Sequence, residues 1–572
     1  MGNSILRLFR HASSLVQDDL RSDPRLRYIL LLSLFVSAFW FWWRMPNFVT
    51  ADEFRRVGQP MKVARFLITD PGIDAIRRLA EEEAGRDATT YLHGLVLLPL
   101  FVLVVVTGKL DTLVGVSGAE SIFDLWNTVP AWFWTGSLTL TRLLNVALVV
   151  GSVYLVYRIG TVITDRQAGR IAAVFTSLSL GVIHTAHEVN EDTPGLFFLL
   201  VVLYLAIRYV QTENRQYFLL GCAMGGIAIA FKLTAGVGVF FLATAFFLTA
   251  LDKPDPLSAA WQPRLLTYGL LLGVVTIYLG IPNLLLRGPE WLIESRIIGG
   301  QASKTAGAGI PLGYSAAIAY LNGLGLPLAV GASTGLLATV RRTTLNREYN
   351  RSELILLVGL AVYLGVYFGL WQNFKTHHVL LSIPLLLIVF GRWFSRLFET
   401  RAEIARVAFA VLLLTTALYA AGGLYQFTDD PRDEAADWIE SEADPQATVT
   451  VFDNSPAWEG IVHGRPIDHY PFGRAADFPG DPYTEWLLAT PDREPEYIVL
   501  TSIRDSDQYP LRAEFQERLL NGDRYGYAVA AEFGERPDTR GRASELLSAG
   551  IVPELEKRAE YELVLAKNES LA

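Results

Sequence analysis

The chain is poor in the residues that usually announce a soluble enzyme. Its 572 residues include one cysteine, Cys222. A lone thiol excludes an internal disulfide framework and any metal site built on several cysteines. It lies in GCAMGG, an apolar helical context, and reads as packing. Lysine is scarce as well, supplying eight of the 49 basic residues. No Gly-rich loop that could cradle a nucleotide is visible, and His, Asp and Glu form no cluster with metal-ligand spacing. The residues therefore call for no cofactor and no metal. A cleavable leader is absent too: Arg7, Arg10, Arg21, Arg25 and Arg27 precede the first apolar run without a signal-type core. That run is expected to be retained, with residues 1–26 forming a basic leader on the cytosolic side.

What the chain has is length in apolar runs. Hydrophobic residues make up 51%, aromatics 12%, and the mean hydropathy is +0.30. A helix needs about 20 apolar residues to cross a bilayer. The fold class expected is mainly α, a polytopic membrane bundle followed by a small soluble α/β domain. Eleven spans are read, at about 27–44, 138–158, 170–186, 194–210, 216–231, 233–250, 265–286, 314–338, 353–371, 378–394 and 404–424. The run LVLLPLFVLVVVTG at 95–108 is shorter and holds Pro99. It either lies at the interface or crosses with a partner segment in 118–136, which would make thirteen spans.

Arginine placement sets the orientation. The N-terminus and the stretches 158–170, 341–351 and 391–401 are basic and should face the cytosol. Eleven spans satisfy all of them, whereas a lone crossing by 95–108 would turn the later loops outward. The membrane domain is then 27–427, with an outer loop at 45–137, in a multi-pass cell-membrane protein. The tail 428–572 falls on the outer side. It carries 31 acidic against 14 basic residues, a net −17 in a chain of −9. DPRDEAADWIESEA reads as a helix with an acidic first turn, and ATVTVFD, EYIVLTS and YAVAAEF as buried strands.

Two pairs of carboxylates then meet at the outer mouth. Asp52 and Glu53 of TADEF follow the first span, and Glu191 and Asp192 of NEDTP sit in a very short loop. Acids at a membrane edge are costly unless paired or wet, which makes them functional candidates. The plainer reading of each pair is helix capping, at the start of DEFRRVGQPMKVARFL and before Pro194. Cationic partners on this side are Lys232, which interrupts IAIAFKLTAGVG, together with Lys375, His377, His378, Arg55, Lys62 and Arg142. Lys232 could instead be a snorkelling lysine. His93, His184 and His187 read as structural. The set suits an anionic ligand such as a lipid phosphate held beside a carboxylate base.

The ordered motifs TADEF, YLHGLVLLPL and TRLLNVALVVGSVYLVYRIGTVITDRQAGRIAAVFTSLSLGVIHTAHEVNEDTPGLFFLLVVLYLAIRY resemble glycosyltransferase family 39. This is the dolichyl-phosphate-mannose mannosyltransferase group of the membrane-embedded C superfamily, and the tail is similar to that of its archaeal members. The resemblance spans roughly residues 27–430. It implies an integral-membrane hexosyltransferase that moves mannose from a polyprenyl- or dolichyl-phosphate donor to a glycan or protein hydroxyl. It implies Asp52 as base with Glu53 beside it, and Glu191 and Asp192 as the second acidic motif. Arg142, Lys232, Lys375 and His378, with Pro384, match the positions that meet the lipid phosphate. The family's outer HPPL is here LHGL, so His93 survives without its prolines. One displacement with one base would invert the anomeric centre. Two other classes are a secondary transporter and a non-catalytic scaffold displaying the tail. The first would place ionisable groups at mid-membrane in repeated halves. The only WW, Trp42–Trp43, lies in the first span, unlike the oligosaccharyltransferase motif.

Overall fold

In a computed structural model the described residues are 13–69, 72, 87–114, 122–305, 310–345, 350–372, 375–451, 460–469, 495–502, 526–535, 542–555, 558–559 and 561–567. Residues 1–12 of the expected leader and part of the loop 45–137 lie outside them, as does 346–349 of one basic stretch. The chain is a helical membrane bundle carrying a small sheet. Each of the eleven expected spans is helical. They are Pro24–Ala38, Ala131–Ile163, Arg166–Leu178 with Leu180–Ala186, Asp192–Thr212, Arg215–Phe231, Val237–Leu251, Pro263–Gly280, Tyr314–Leu324 with Leu326–Leu345, Arg351–Gly369, Ile383–Thr400 and Ala402–Tyr425.

Local chemistry explains several boundaries. Asp23–Pro24, Asp255–Pro256 and Asp430–Pro431 each place a capping carboxylate before a first-turn proline. Gly325 turns the chain at φ 76°, and the helices on either side meet at a bend of 111°. Among the described residues seven helices are long and apolar enough to cross a membrane, or nine if each bent pair is one span. Pro24–Ala38 and Arg215–Phe231 are short for a crossing, and Ile383–Thr400 carries Arg392, Arg396 and Glu399.

One of the seven is Ala88–Val106, the helix that contains the ambiguous run. Packing places both of its ends on the face that carries the tail. At its start Asp87 Oδ2 binds Arg56 Nη1 at 2.6 Å. Near its end Phe101 lies 6.2 Å from Phe133, and Leu100 packs on Gly136. These contacts fall six to nine residues before Arg142, whose guanidinium binds the carbonyls of Phe41 and Trp43 beyond the first span. Helix Ala131–Ile163 has 33 residues, about 50 Å at 1.5 Å per residue. Its first turns therefore project from the bilayer, and Ala88–Val106 lies against that projection. Leu95, Leu98, Val102 and Val106 are exposed along it, an apolar face open to lipid.

On the opposite face Arg170 pairs with Asp23 at 2.8 Å and Arg158 with Asp19 at 3.0 Å, tying the N-terminal helix to the first basic turn. Among its described residues the tail forms a five-stranded sheet. Its strands are β1 (Val449–Val451), β2 (Ile467–His469), β3 (Tyr497–Ser502), β4 (Tyr527–Gly534) and β5 (Tyr561–Lys567), in the order β2-β1-β3-β5-β4. β1 is parallel to β2 and β3, while β5 is antiparallel to β3 and β4. Helix Pro431–Glu442 covers it, and its Ile439 shares one apolar core with Val449, Val564, Phe48, Phe54 and Trp134. The tail is thus docked on the loop that holds TADEF.

Candidate active site

TADEF opens the amphipathic helix Ala51–Thr69, and its two acids have opposite surroundings. Glu53 is fully buried. Its carboxylate takes Arg142 Nε at 2.8 Å and Nη2 at 2.9 Å, with the backbone N–H groups of Val49 at 2.7 Å and Val189 at 3.0 Å. Arg142 Nη1 donates to Phe41 O at 2.9 Å and Trp43 O at 2.6 Å. This pair joins the end of the first span, the TADEF helix, helix Ala131–Ile163 and the NEDTP loop. Arg142 is fully buried, and each of its nitrogens donates within the protein, so it pins these segments together. Glu53 is likewise satisfied, and it holds Asp52 at the surface. The Asp52 side chain is 64% exposed, 2.6 Å from Arg55.

The second acidic pair escapes the capping role. Asn190 caps the helix instead, its Oδ1 accepting Thr193 N–H at 2.8 Å. Glu191 and Asp192 are thereby released to meet cations. Lys232 Nζ lies 3.2 Å from Glu191 and 3.0 Å from Asp192, and the other Glu191 oxygen contacts Arg56. Arg56 also binds Asp87, which completes a half-buried chain of three carboxylates and two cations. Lys232 stands at a break, φ −142°, between Arg215–Phe231 and a short 3-10 turn. Gly195 allows it to pack closely, since a Cβ there would lie 2.9 Å from Lys232 Cβ. Lys232 is thus engaged by both carboxylates of the NEDTP pair.

Sequence reasoning passed over Arg56 and Asp87. The available signal was spacing: Arg56 lies four residues after Asp52 on one helix, hence one turn along the same face. Asp87 opens DATT, a capping pattern, and accepts the N–H groups of Thr89 and Thr90.

A second group lies beside the first. Tyr367, within electrostatic range of Asp192, donates to His378 O at 2.8 Å. Lys375 N–H donates to His378 Nδ1 at 2.9 Å, so a neutral ring carries its hydrogen on Nε2, a tautomer assigned from this bond. Lys304 Nζ faces that Nε2 at 2.7 Å. Pro384 stands in the first turn of the next helix, Ile383–Thr400. His93 is fully buried on the packed face of Ala88–Val106, beside the Arg56 backbone. His187 stacks on Phe427 at 3.9 Å and 11°.

Residues 129–280, which carry Arg142, Glu191, Asp192 and Lys232, match the family model described as dolichyl-phosphate-mannose-protein mannosyltransferase. Over this segment the chain is similar to that membrane glycosyltransferase family. Among curated proteins none matches the chain. Among solved structures it is similar to the apo oligosaccharyltransferase of Archaeoglobus fulgidus, at 11% identity and TM-score 0.48, over 87% of this chain and 72% of that one. It is similar to ArnT from Cupriavidus metallidurans bound to undecaprenyl phosphate, at 14% identity and TM-score 0.45, over 96% and 98%. It is also similar to the arabinofuranosyltransferase AftD from Mycobacteria, at 16% identity and TM-score 0.30, over 76% and 35%.

Proposed function

We propose that this chain transfers a hexose, mannose in the first instance, from a polyprenyl- or dolichyl-phosphate donor to an acceptor hydroxyl at the face that carries the tail. That face is the extracytoplasmic one by the arginine distribution. The observation that carries the reading is the divided acid pair. Glu53 is spent on Arg142, and Asp52 is left exposed one turn from the Arg56–Glu191–Lys232–Asp192 chain.

A hydroxyl is a weak nucleophile, and a carboxylate that takes its proton as the glycosidic bond forms lowers the barrier. Asp52 has the exposure this role needs. Glu191 and Asp192, held by Lys232 and Arg56, present acceptor oxygens suited to sugar hydroxyls. The leaving phosphate gains a negative charge and requires donors that are already in place. Lys304 Nζ and His378 Nε2 lie 2.7 Å apart, a basic pair suited to an anion beside both. Lys375 belongs to the same group. A single displacement assisted by one base inverts the anomeric carbon.

The test is an Asp52→Asn chain, assayed with dolichyl-phosphate mannose as donor and membranes of a deletion strain as acceptor. Transfer should be lost while expression and unfolding temperature stay at wild-type values. Retained transfer would remove Asp52 as base. Mass analysis of surface glycans from the deletion strain should show one hexose missing.

A further inference from the structure

The tail meets the loop before TADEF through a buried charge cluster that the mechanism above does not use. Arg44 closes the turn after the first span at φ 58° and is fully buried at its side chain. Its Nε donates to Phe48 O at 3.1 Å, and its Nη1 lies 3.5 Å from both Asp430 and Asp433 of the tail. Asp430 is gripped in turn by Arg432, at 2.7 and 3.0 Å, and caps helix Pro431–Glu442. Glu562 of β5, also buried, lies within electrostatic range of both arginines and accepts Gly460 N–H at 2.7 Å. Next to Gly460, Ile461 O accepts Asn47 Nδ2–H at 3.0 Å. Both ends of segment 44–53 are thus fixed, one by the tail through Arg44 and Asn47, the other by Arg142 through Glu53. Phe48, between them, packs edge-on against Phe54 and Trp134.

We propose that Arg44 is a positioning residue through which the C-terminal domain sets the place of Asp52. The proposal rests on the reading of Asp52 as base. The tail is then part of the transferase machinery, not an appended domain. Burying an arginine is costly unless carboxylates meet it, and here Asp430 and Asp433 are supplied from a different domain. Such a site holds only while the two domains are docked, so the geometry of the base depends on the tail.

The full-length chain in nanodiscs provides the test, with dolichyl-phosphate mannose as probe donor. Arg44→Met should lower kcat about 100-fold with the donor KM unchanged, as expected when a reacting group is misplaced by an ångström or so. Arg44→Lys should restore part of that loss. Hydrogen exchange supplies a readout independent of the reaction. The amide of Val49, held by Glu53, should exchange on the order of 10-fold faster in Arg44→Met as the segment loosens. If Arg44→Met does not fold, Asn47→Ala and Asp433→Asn weaken the same junction without stranding a buried cation. An unchanged kcat per folded molecule overturns the proposal, whatever happens to stability. Faster exchange at Val49 in Arg44→Met, together with a wild-type chain inactive with this donor, would retain the coupling and reject the functional reading instead.

Discussion

Replacing Arg142 by Met separates a structural pin from a phosphate contact. The change removes two charge-assisted bonds to Glu53, at 2.8 and 2.9 Å, and leaves its carboxylate with only the N–H groups of Val49 and Val189. It also orphans the carbonyls of Phe41 and Trp43. Removing one partner of a buried ion pair costs about 3–5 kcal/mol, because the remaining charge is uncompensated. Arg142→Met should therefore destabilise the chain by about that amount. Glu53→Gln combined with Arg142→Met should recover part of it, the two sites coupling by about 0.5–3 kcal/mol. The assay is SDS titration of the purified full chain, with donor KM measured on the folded fraction. An unfolding midpoint equal to wild type together with a raised donor KM would refute the pin and return Arg142 to the phosphate.

Three further outcomes follow from the geometry. Lys232→Met removes the cation shared by Glu191 and Asp192 and leaves Arg56 to Glu191 and Asp87. Transfer should fall at least about 10-fold as the acidic pair loses its orientation; wild-type turnover of the folded variant would refute this. Burial holds the Glu562 carboxyl up at about 7, opposed by the Gly460 N–H and by Arg432 and Arg44, and holds Asp433 up at about 6. A carboxyl raised in the folded state disfavours folding once ionised, so stability should drop as pH rises from about 4.5 towards 7. Glu562→Gln should flatten the upper part of that slope in unfolding temperatures measured from pH 5 to 8. Gly325→Ala forces a side chain into φ 76° and to 3.1 Å from the Tyr419 ring, and should cost about 1–3 kcal/mol, read from the same unfolding curves.

Much of the fold was legible because lipid demands long apolar helices, and the arginines mark their ends. Ala88–Val106 was ambiguous for a physical reason: a helix packed against the end of another can be as apolar as a crossing one, and its contacts with Arg56 and Phe133 are not written in its own sequence. In the tail the runs containing β1, β3 and β4 were visible, although β4, expected buried, lies largely exposed at the sheet edge; β2 was too short and β5 was not distinguished. Asp52, Glu53, Glu191 and Asp192 stood out because acids are rare beside lipid. Their division of labour was hidden, because it depends on which guanidinium reaches which oxygen. Neither the capping by Asn190 nor the place of Arg56 is written in local pattern.

The charges at the mouth decide where a lipid phosphate can bind. Arg142 is neutralised by Glu53, and Lys232 and Arg56 are outnumbered by Glu191, Asp192 and Asp87. Two like charges 4 Å apart repel by about 4 kcal/mol at an effective dielectric of 20. A phosphate brought to Lys232 would therefore be opposed by the two carboxylates that already hold it. We propose that the phosphate meets the Lys304–His378 pair instead, whose side-chain nitrogens lie 2.7 Å apart. Leaving-group departure adds one negative charge to the phosphate, so the stabilisation offered there grows along the reaction path, while that offered at Lys232 is already spent on the acids. The proposed division is thus electrostatic: acids and their cations orient sugar and acceptor, and the Lys304–His378 side receives the lipid phosphate.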